Sequence, residues 1–242
     1  MNNRLDVEMH TRGIVRSRSA AADLIKRGKV RVNGRAAAKA SQEVAPSDAI
    51  SIEGDAVFVS RAGEKLAHAL DAWKISVEGL VAIDIGASTG GFTDCLIRRG
   101  AKKVFAIDVG TDQLDAALRS DPRVESHEKT DIRNFSFAAL SLPLADIAVA
   151  DVSFISLDLI LPKMRELVRK GGQAIVLVKP QFEVGKEIAD RNKGVITDEA
   201  EQKGALEKIK RSAEKAGFHV AGETVSPLEG EKGNKEFLLL LD

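Results

Sequence analysis

The run Val81-Ala82-Ile83-Asp84-Ile85-Gly86-Ala87-Ser88-Thr89-Gly90-Gly91-Phe92-Thr93-Asp94-Cys95-Leu96-Ile97 restricts the possible folds of this chain more than any other stretch. A short apolar run carrying an acid near its end meets a glycine-rich turn, and an apolar pattern with helical spacing follows. That order predicts a strand, a tight loop and a helix of an α/β nucleotide-type site. Glycines allow a backbone path that a Cβ would obstruct and let a ligand approach the main chain at the positive end of the next helix. Asp84 closes the strand where it can accept hydrogen bonds from ammonium or hydroxyl groups. Lys103-Val104-Phe105-Ala106-Ile107-Asp108 reads as the next strand and ends in a second acid, placed to grip a ribose diol as in dinucleotide folds. The glycine order is G-x-x-x-G-G, so the pyrophosphate fingerprint is absent. An adenosyl ligand without a pyrophosphate fits better, and a purely structural turn is the alternative.

At 242 residues the chain exceeds the usual ~100–150 of one domain, which predicts a core domain plus a smaller one. Cys95 is the only cysteine, so no disulfide forms within the chain and a reducing, cytoplasmic location is expected. No apolar run reaches the ~18 residues of a membrane span, and no signal-peptide core follows the first residues. The expectation is therefore no membrane partner. His10, His68, His127 and His219 are scattered, which speaks against zinc or another metal.

Net charge is zero, with 36 basic and 36 acidic residues, but residues 1–40 hold ten basic side chains against three acids. Such a local excess points to a polyanion; a merely solvated basic surface is the alternative. A helix beginning near Ser19, capped by Ser17 or Ser19 and closed by Gly28, is expected here. Lys29-Val30-Arg31-Val32-Asn33-Gly34-Arg35 then reads as a strand turning at Asn-Gly, with valines inward and charges outward. Turns at Ala45-Pro46-Ser47-Asp48 and Glu53-Gly54-Asp55 flank a short strand at 49–53. This stretch resembles the small RNA-binding module named after ribosomal small-subunit protein four. The resemblance implies RNA contact through Arg4, Arg16, Arg18, Lys26, Arg31 and Arg35. With aromatics at 4% and no tyrosine, phosphate and shape contacts are expected there instead of base stacking.

After residue 59 the pattern alternates strands and helices. Strands are expected near 81–85, 103–108, 123–127, 146–151, 173–179, 219–225 and 236–241. Helices are expected near 64–73, 91–99, 111–119, 135–141, 156–170 and 199–216, with Gly171-Gly172 closing the one at 156–170. This predicts a mostly parallel sheet with right-handed crossovers, in an α/β class. Ligands in such sheets bind at the carboxyl ends of the strands. There Asp151 and Lys179 follow apolar strands, and Glu236 precedes Phe237-Leu238-Leu239-Leu240-Leu241. Lys65 lies near a helix start, where a cation opposes the helix dipole. Two amines and two carboxylates suit deprotonation of a weakly acidic hydroxyl, since a second cation or partial burial makes a lysine a better base. Two ordinary ion pairs are the alternative.

The ordered motifs SRAGEKL (60–66), DIGASTGGFTDCLIRRGA (84–101), AIDVGTDQLDAALRSDPRV (106–124), ADVSFISL (150–157), LVKPQFEVGKE (177–187) and SPLEGEKGNKEFLLLL (226–241) resemble the TlyA-type ribosomal-RNA 2′-O-methyltransferases. Those proteins fuse the RNA-binding module to an FtsJ-like methyltransferase domain, here 1–59 and 60–242. The resemblance implies a Rossmann-like seven-stranded sheet with one antiparallel strand, S-adenosylmethionine as cofactor, and ribosomal RNA or ribosomal subunits as partner. It puts a catalytic tetrad on Lys65, Asp151, Lys179 and Glu236. It implies cofactor contacts from Asp84, Gly86, Ala87, Ser88, Thr89, Gly90 and Gly91 at the methionine end, Asp108 and Val109 at the ribose, and Asp131 and Ile132 at the adenine. The chain departs from the family pattern at 188–197, where relatives carry a glycine-rich stretch. Rival readings are a membrane-active, haemolysin-like protein, because relatives carry that label, and a non-catalytic RNA-binding assembly factor.

Overall fold

The computed structural model describes residues 2–15, 17–53, 58–140, 142–230 and 232–242. Arg16 and the Gly54-Asp55 turn lie outside them. Internal contacts divide the chain into two compact units, Met1–Val57 and Phe58–Asp242.

The first unit runs β1 (Asn3–Arg4), α1 (Leu5–Thr11), α2 (Arg18–Lys26), β2 (Val30–Val32), β3 (Arg35–Ala36), β4 (Glu43–Val44) and β5 (Ile50–Ile52). Ser17 caps α2 by accepting the Ala20 N–H at 3.2 Å. Asn33 and Gly34 both adopt positive φ (51° and 78°), as a two-residue hairpin with the right-handed strand twist requires. That turn pairs Val32 with Arg35, while β5 pairs with the other edge of β2. Leu5, Met9, Leu24, Ile25, Val30 and Val44 form the core, leaving the basic side chains to the outside.

The second unit contains α3 (Ala62–Ala72), β6 (Val81–Ile85), α4 (Gly91–Arg98), β7 (Lys103–Ile107), α5 (Ala116–Arg119), β8 (Val124–His127), β9 (Ala145–Ala150), α6 (Leu161–Leu167), β10 (Val168–Val178), α7 (Pro180–Glu183), α8 (Lys186–Arg191), α9 (Glu199–Lys215), β11 (Val220–Val225) and β12 (Phe237–Leu241). Its seven-stranded sheet has the order β11-β12-β10-β9-β6-β7-β8. Strands β10, β9, β6, β7 and β8 pair in parallel, and β12 is antiparallel to both its neighbours. Successive side chains of a strand face opposite ways, so Ile83 and Ile85 pack with Leu161, Met164 and Ile209 on one face. Ala82 and Val104 pack with Leu66, Leu70, Phe92 and Leu96 on the other. No helix among the described residues is long and apolar enough to cross a membrane.

Three of the expected helices, near 111–119, 135–141 and 156–170, are shorter than their sequence pattern. Residues 112–114 are held open because the Glu128 carboxylate accepts their backbone N–H groups, at 2.7, 3.2 and 3.4 Å, so α5 starts only at Ala116. The expected helix at 135–141 is reduced to single 3₁₀ turns at Ile132–Asn134 and Ala138–Leu140. Phe135 and Phe137 are drawn instead into an aromatic cluster with Phe105, whose ring lies 4.9 Å from that of Phe137. Gly171-Gly172 does not close a helix: α6 ends at Leu167, and the glycines lie inside β10 at a register shift between Val168 and Gln173. A Cβ on Gly172 would stand 2.6 Å from the Asp146 carbonyl oxygen, so strand approach requires glycine there.

Replacing Glu128 with Ala removes the acceptor for three backbone donors. Amide hydrogen exchange at Asp112, Gln113 and Leu114 is expected to accelerate in Glu128→Ala, whereas in Glu128→Gln, which keeps one of the two acceptor oxygens, only the donors to the other oxygen should accelerate.

Candidate active site

The topology gathers the polar strand ends on one edge. Val178 of β10 pairs with Phe237 of β12, so Lys179 and Glu236 are the next antiparallel neighbours. Ala150 of β9 pairs with Ile85 of β6, and the Asp151 N–H donates to the Ile85 carbonyl at 3.1 Å. Along the edge the order is therefore Glu236, Lys179, Asp151 and the glycine loop. Lys179 Nζ sits 2.6 Å from Asp151 Oδ1 and donates to Ser153 Oγ at 2.9 Å. Lys65 Nζ donates to Glu236 Oε2 at 2.5 Å, with both side chains buried. Lys65 stands in the first turn of α3, and Glu236 supplies the countercharge that the helix dipole there does not. Gly230 makes room for this pair: a Cβ on it would lie 2.7 Å from Glu236 Oε1. The four residues thus form two amine–carboxylate pairs side by side. A buried pair of this kind is strongly destabilised when one partner is removed.

Beside them is the glycine loop. Gly86 and Gly90 have φ of +81° and +93°, and a Cβ on Gly86 would lie 2.8 Å from the Asp151 carbonyl oxygen. Glycine at 86 therefore lets the β6 and β9 loops touch. Asp84 is fully buried beneath α4, where Thr93 Oγ1 donates to its Oδ2 at 2.6 Å and its Oδ1 has no hydrogen-bond partner. Burial, then the negative charges of Asp151 and Asp108, push the Asp84 carboxyl up to about 7, against the opposing Thr93 hydrogen bond. A buried, unsatisfied acceptor at the base of a glycine loop is the mark of a ligand site, and its acidity suits a cationic or hydroxyl-bearing ligand. The residues present therefore fit the methionine end of S-adenosylmethionine.

Asp108 accepts the Ser88 N–H at 2.8 Å and the Gly110 N–H at 2.6 Å. It ties the glycine loop to the turn after β7, and each oxygen keeps a second lone pair for a diol. Val109 is 74% exposed beside it. The segment after β8 joins the same turn, since Thr130 N–H donates to the Asp108 carbonyl at 2.9 Å and Lys129 N–H to that of Gly110 at 3.0 Å. Asp131 caps the 3₁₀ turn there and pairs with Arg133, and Ile132 is buried. Ala87 and Gly91 are buried in the loop, and Ser88 and Thr89 are exposed.

In the first unit Arg4 and Arg18 both reach Asp6, at 3.0 and 3.2 Å, and Arg31 pairs with Glu53 at 2.8 Å. Lys26 and Arg35 are exposed. Sequence reasoning missed Ser153, Phe154 and Phe182. Phe154 is 92% exposed with φ of +64°, its ring lies 5.2 Å from that of Phe182, and Lys179 Nζ is 5.9 Å from the Phe182 ring centre. The residues stand in the quoted ADVSFISL and LVKPQFEVGKE motifs, but exposure of a phenylalanine is not written in its identity. Among the described residues no group of three or more His, Cys, Asp or Glu is placed to hold a metal ion.

Asp84 binds a proton more tightly in the folded state than in the unfolded chain. Stability of the ligand-free protein is therefore expected to fall as pH rises from about 4 to about 7, by on the order of 4 kcal/mol from this group alone. Urea unfolding across that range checks it, and Asp84→Asn should flatten that part of the profile.

The FtsJ-like methyltransferase family matches residues 58–242, and the S4 domain matches residues 3–50. The chain is 42% identical over 240 residues to the 16S/23S rRNA (cytidine-2′-O)-methyltransferase TlyA of Mycobacterium tuberculosis, covering 98% of this chain and 89% of that one. A solved structure of a hemolysin-named protein from Streptococcus thermophilus is 40% identical with a TM-score of 0.76, over 99% of this chain and 88% of that one. An S-adenosylmethionine-dependent methyltransferase from Mesorhizobium loti shares the fold of the sheet at 14% identity, with a TM-score of 0.52, over 72% of this chain and 95% of that one. The chain thus belongs to the FtsJ-like methyltransferases, in the TlyA-type branch that carries an S4 domain ahead of the methyltransferase domain.

Proposed function

We propose that this chain transfers the methyl group of S-adenosylmethionine to the ribose 2′-hydroxyl of a cytidine in ribosomal RNA. The observation that carries the reading is the pair of amine–carboxylate contacts, Lys179 with Asp151 and Lys65 with Glu236, on the strand edge that also bears the glycine loop. The relatives' activity on cytidine in rRNA supports the substrate. When bound, S-adenosylmethionine supplies an electrophilic sulfonium methyl group. Asp84 and the 86–91 loop would hold its methionine end, Asp108 and Val109 its ribose, and Asp131 and Ile132 would border its adenine.

Lys179 accepts the proton of the 2′-hydroxyl. Asp151 stabilises the resulting ammonium, and Ser153 accepts one of its N–H groups and fixes its direction. Glu236 holds Lys65 in place at the same strand edge. Holding hydroxyl and donor in line contributes several kcal/mol through proximity, so the amine need not be a strong base. Phe154 offers an exposed aromatic face next to Lys179 on which an unstacked base can lie, the usual mode of single-stranded RNA recognition. Lys26 and Arg35, with Arg4, Arg18 and Arg31 at their carboxylate partners and Arg16, supply phosphate contacts from the S4 domain.

Two substitutions test the reading. Lys179→Ala is expected to abolish methyl transfer to ribosomal RNA while leaving S-adenosylmethionine affinity near wild type by calorimetry; retained turnover would remove the assigned base. Phe154→Ala, at a side chain with little burial to lose, should leave the melting temperature unchanged and raise KM for RNA; an unaltered KM would remove the stacking role.

A further inference from the structure

Glu183 is a buried acid that the proton transfer does not use. It is 4% exposed and ends α7, the single turn that starts immediately after Lys179. Its carboxylate reaches across to the loop that follows β9: Oε2 accepts the Ser156 hydroxyl at 2.5 Å and Oε1 accepts the Leu157 N–H at 2.9 Å. Lys208 of α9 donates to the Glu183 carbonyl oxygen at 3.1 Å, and its ammonium lies 3.7 Å from Oε2. The same two stretches meet again at Lys179, which contacts Asp151 and Ser153. Loop 151–157 and segment 179–183 are therefore cross-linked at both ends, with the reacting amine at one end and Glu183 at the other. Between the two links Phe154 holds a left-handed φ, a conformation that persists in a bulky residue only when its surroundings enforce it.

We infer that Glu183 is a positioning residue, whose carboxylate fixes loop 151–157 against α7 so that Asp151 and Ser153 hold Lys179 Nζ at the reacting hydroxyl. The inference rests on the methyl-transfer reading above. Burial raises the proton affinity of Glu183, with Ser156, Leu157 and Lys208 opposing that rise, so the site retains an acid at a position where an apolar side chain would be easier to bury. Without it, the Leu157 N–H is buried with no acceptor and the Ser156 end of the loop is released. The cofactor residues belong to the loops after β6, β7 and β8, outside this cross-link.

The experiment is steady-state methyl transfer to ribosomal RNA by the full chain, in the wild type, Glu183→Ala, Glu183→Gln and Ser156→Ala, with folding checked by circular dichroism. Glu183→Ala is expected to lower kcat by roughly ten- to a hundredfold, the scale of a misplacement of about 1 Å, with KM for S-adenosylmethionine unchanged. Glu183→Gln should recover most of the rate, since its amide oxygen still accepts from Leu157 and its NH₂ donates to Ser156 Oγ. Ser156→Ala should lose part of it, and the double variant Ser156→Ala/Glu183→Ala should be no worse than Glu183→Ala, because the two act as one link. A folded Glu183→Ala with wild-type kcat, or a loss shared equally by kcat and KM for the cofactor, overturns the inference. Should Glu183→Ala not fold, wild-type kcat in Ser156→Ala overturns it. A wild-type chain that methylates no ribosomal RNA overturns the methyl-transfer reading itself, whereas an active wild type with an unaffected Glu183→Ala overturns the inference alone.

Discussion

The reversed direction of β12 is the constraint on which the site depends. Parallel strands deliver only their carboxyl ends to the ligand edge, so β6, β9 and β10 bring the residues that follow them: the glycine loop, Asp151 and Lys179. An antiparallel strand between β10 and β11 presents its beginning there instead, and Glu236 arrives beside Lys179. Lys65 is then recruited from α3 by the charge of Glu236 and not by any strand. Hydrogen-bond register, fixed by the backbone along the whole sheet, thus sets the side-chain chemistry at its rim.

The charges at this rim are kept by mutual pairing. Lys65 occupies a helix start that disfavours a cation, and Glu236 offsets it. Lys179 is neutralised by Asp151. Asp84 is the exception, because its second oxygen has no protein partner and its acidity is suppressed by burial and by the neighbouring carboxylates. Under the proposed function, a cationic ligand at this loop would relieve that cost, as in a site whose stability is traded for binding.

The strand–loop–helix around Gly86, the strand alternation and the strand-end positions of Asp151, Lys179 and Glu236 were legible in the sequence because each rests on local rules: apolar runs, glycines at a tight turn and polar residues at strand ends; Lys65 stood out only as a cation near a helix start. The helix limits were not. Residues 111–115 have a helical pattern, yet Glu128, more than ten residues away, takes the N–H groups of Asp112, Gln113 and Leu114. Phe135 and Phe137 leave a helical pattern for the aromatic cluster around Phe105. Gly171-Gly172 has the signature of a helix end, but the close approach of β9 to β10 explains it. In each case a non-local partner outweighed a local preference. Ser153, Phe154 and Glu183 were invisible for a related reason, since their roles arise from a contact between two loops that the sequence separates.

The pairing of Lys65 with Glu236 closes a span of 171 positions, and it has a consequence for biosynthesis. Synthesis delivers the glycine loop before β12 and Glu236. Strands β6 to β11 precede β12 in the chain, and only when β12 inserts between β11 and β10 does the amine of α3 acquire its counterion. Completion of the two ion pairs is thereby coupled to insertion of the antiparallel strand.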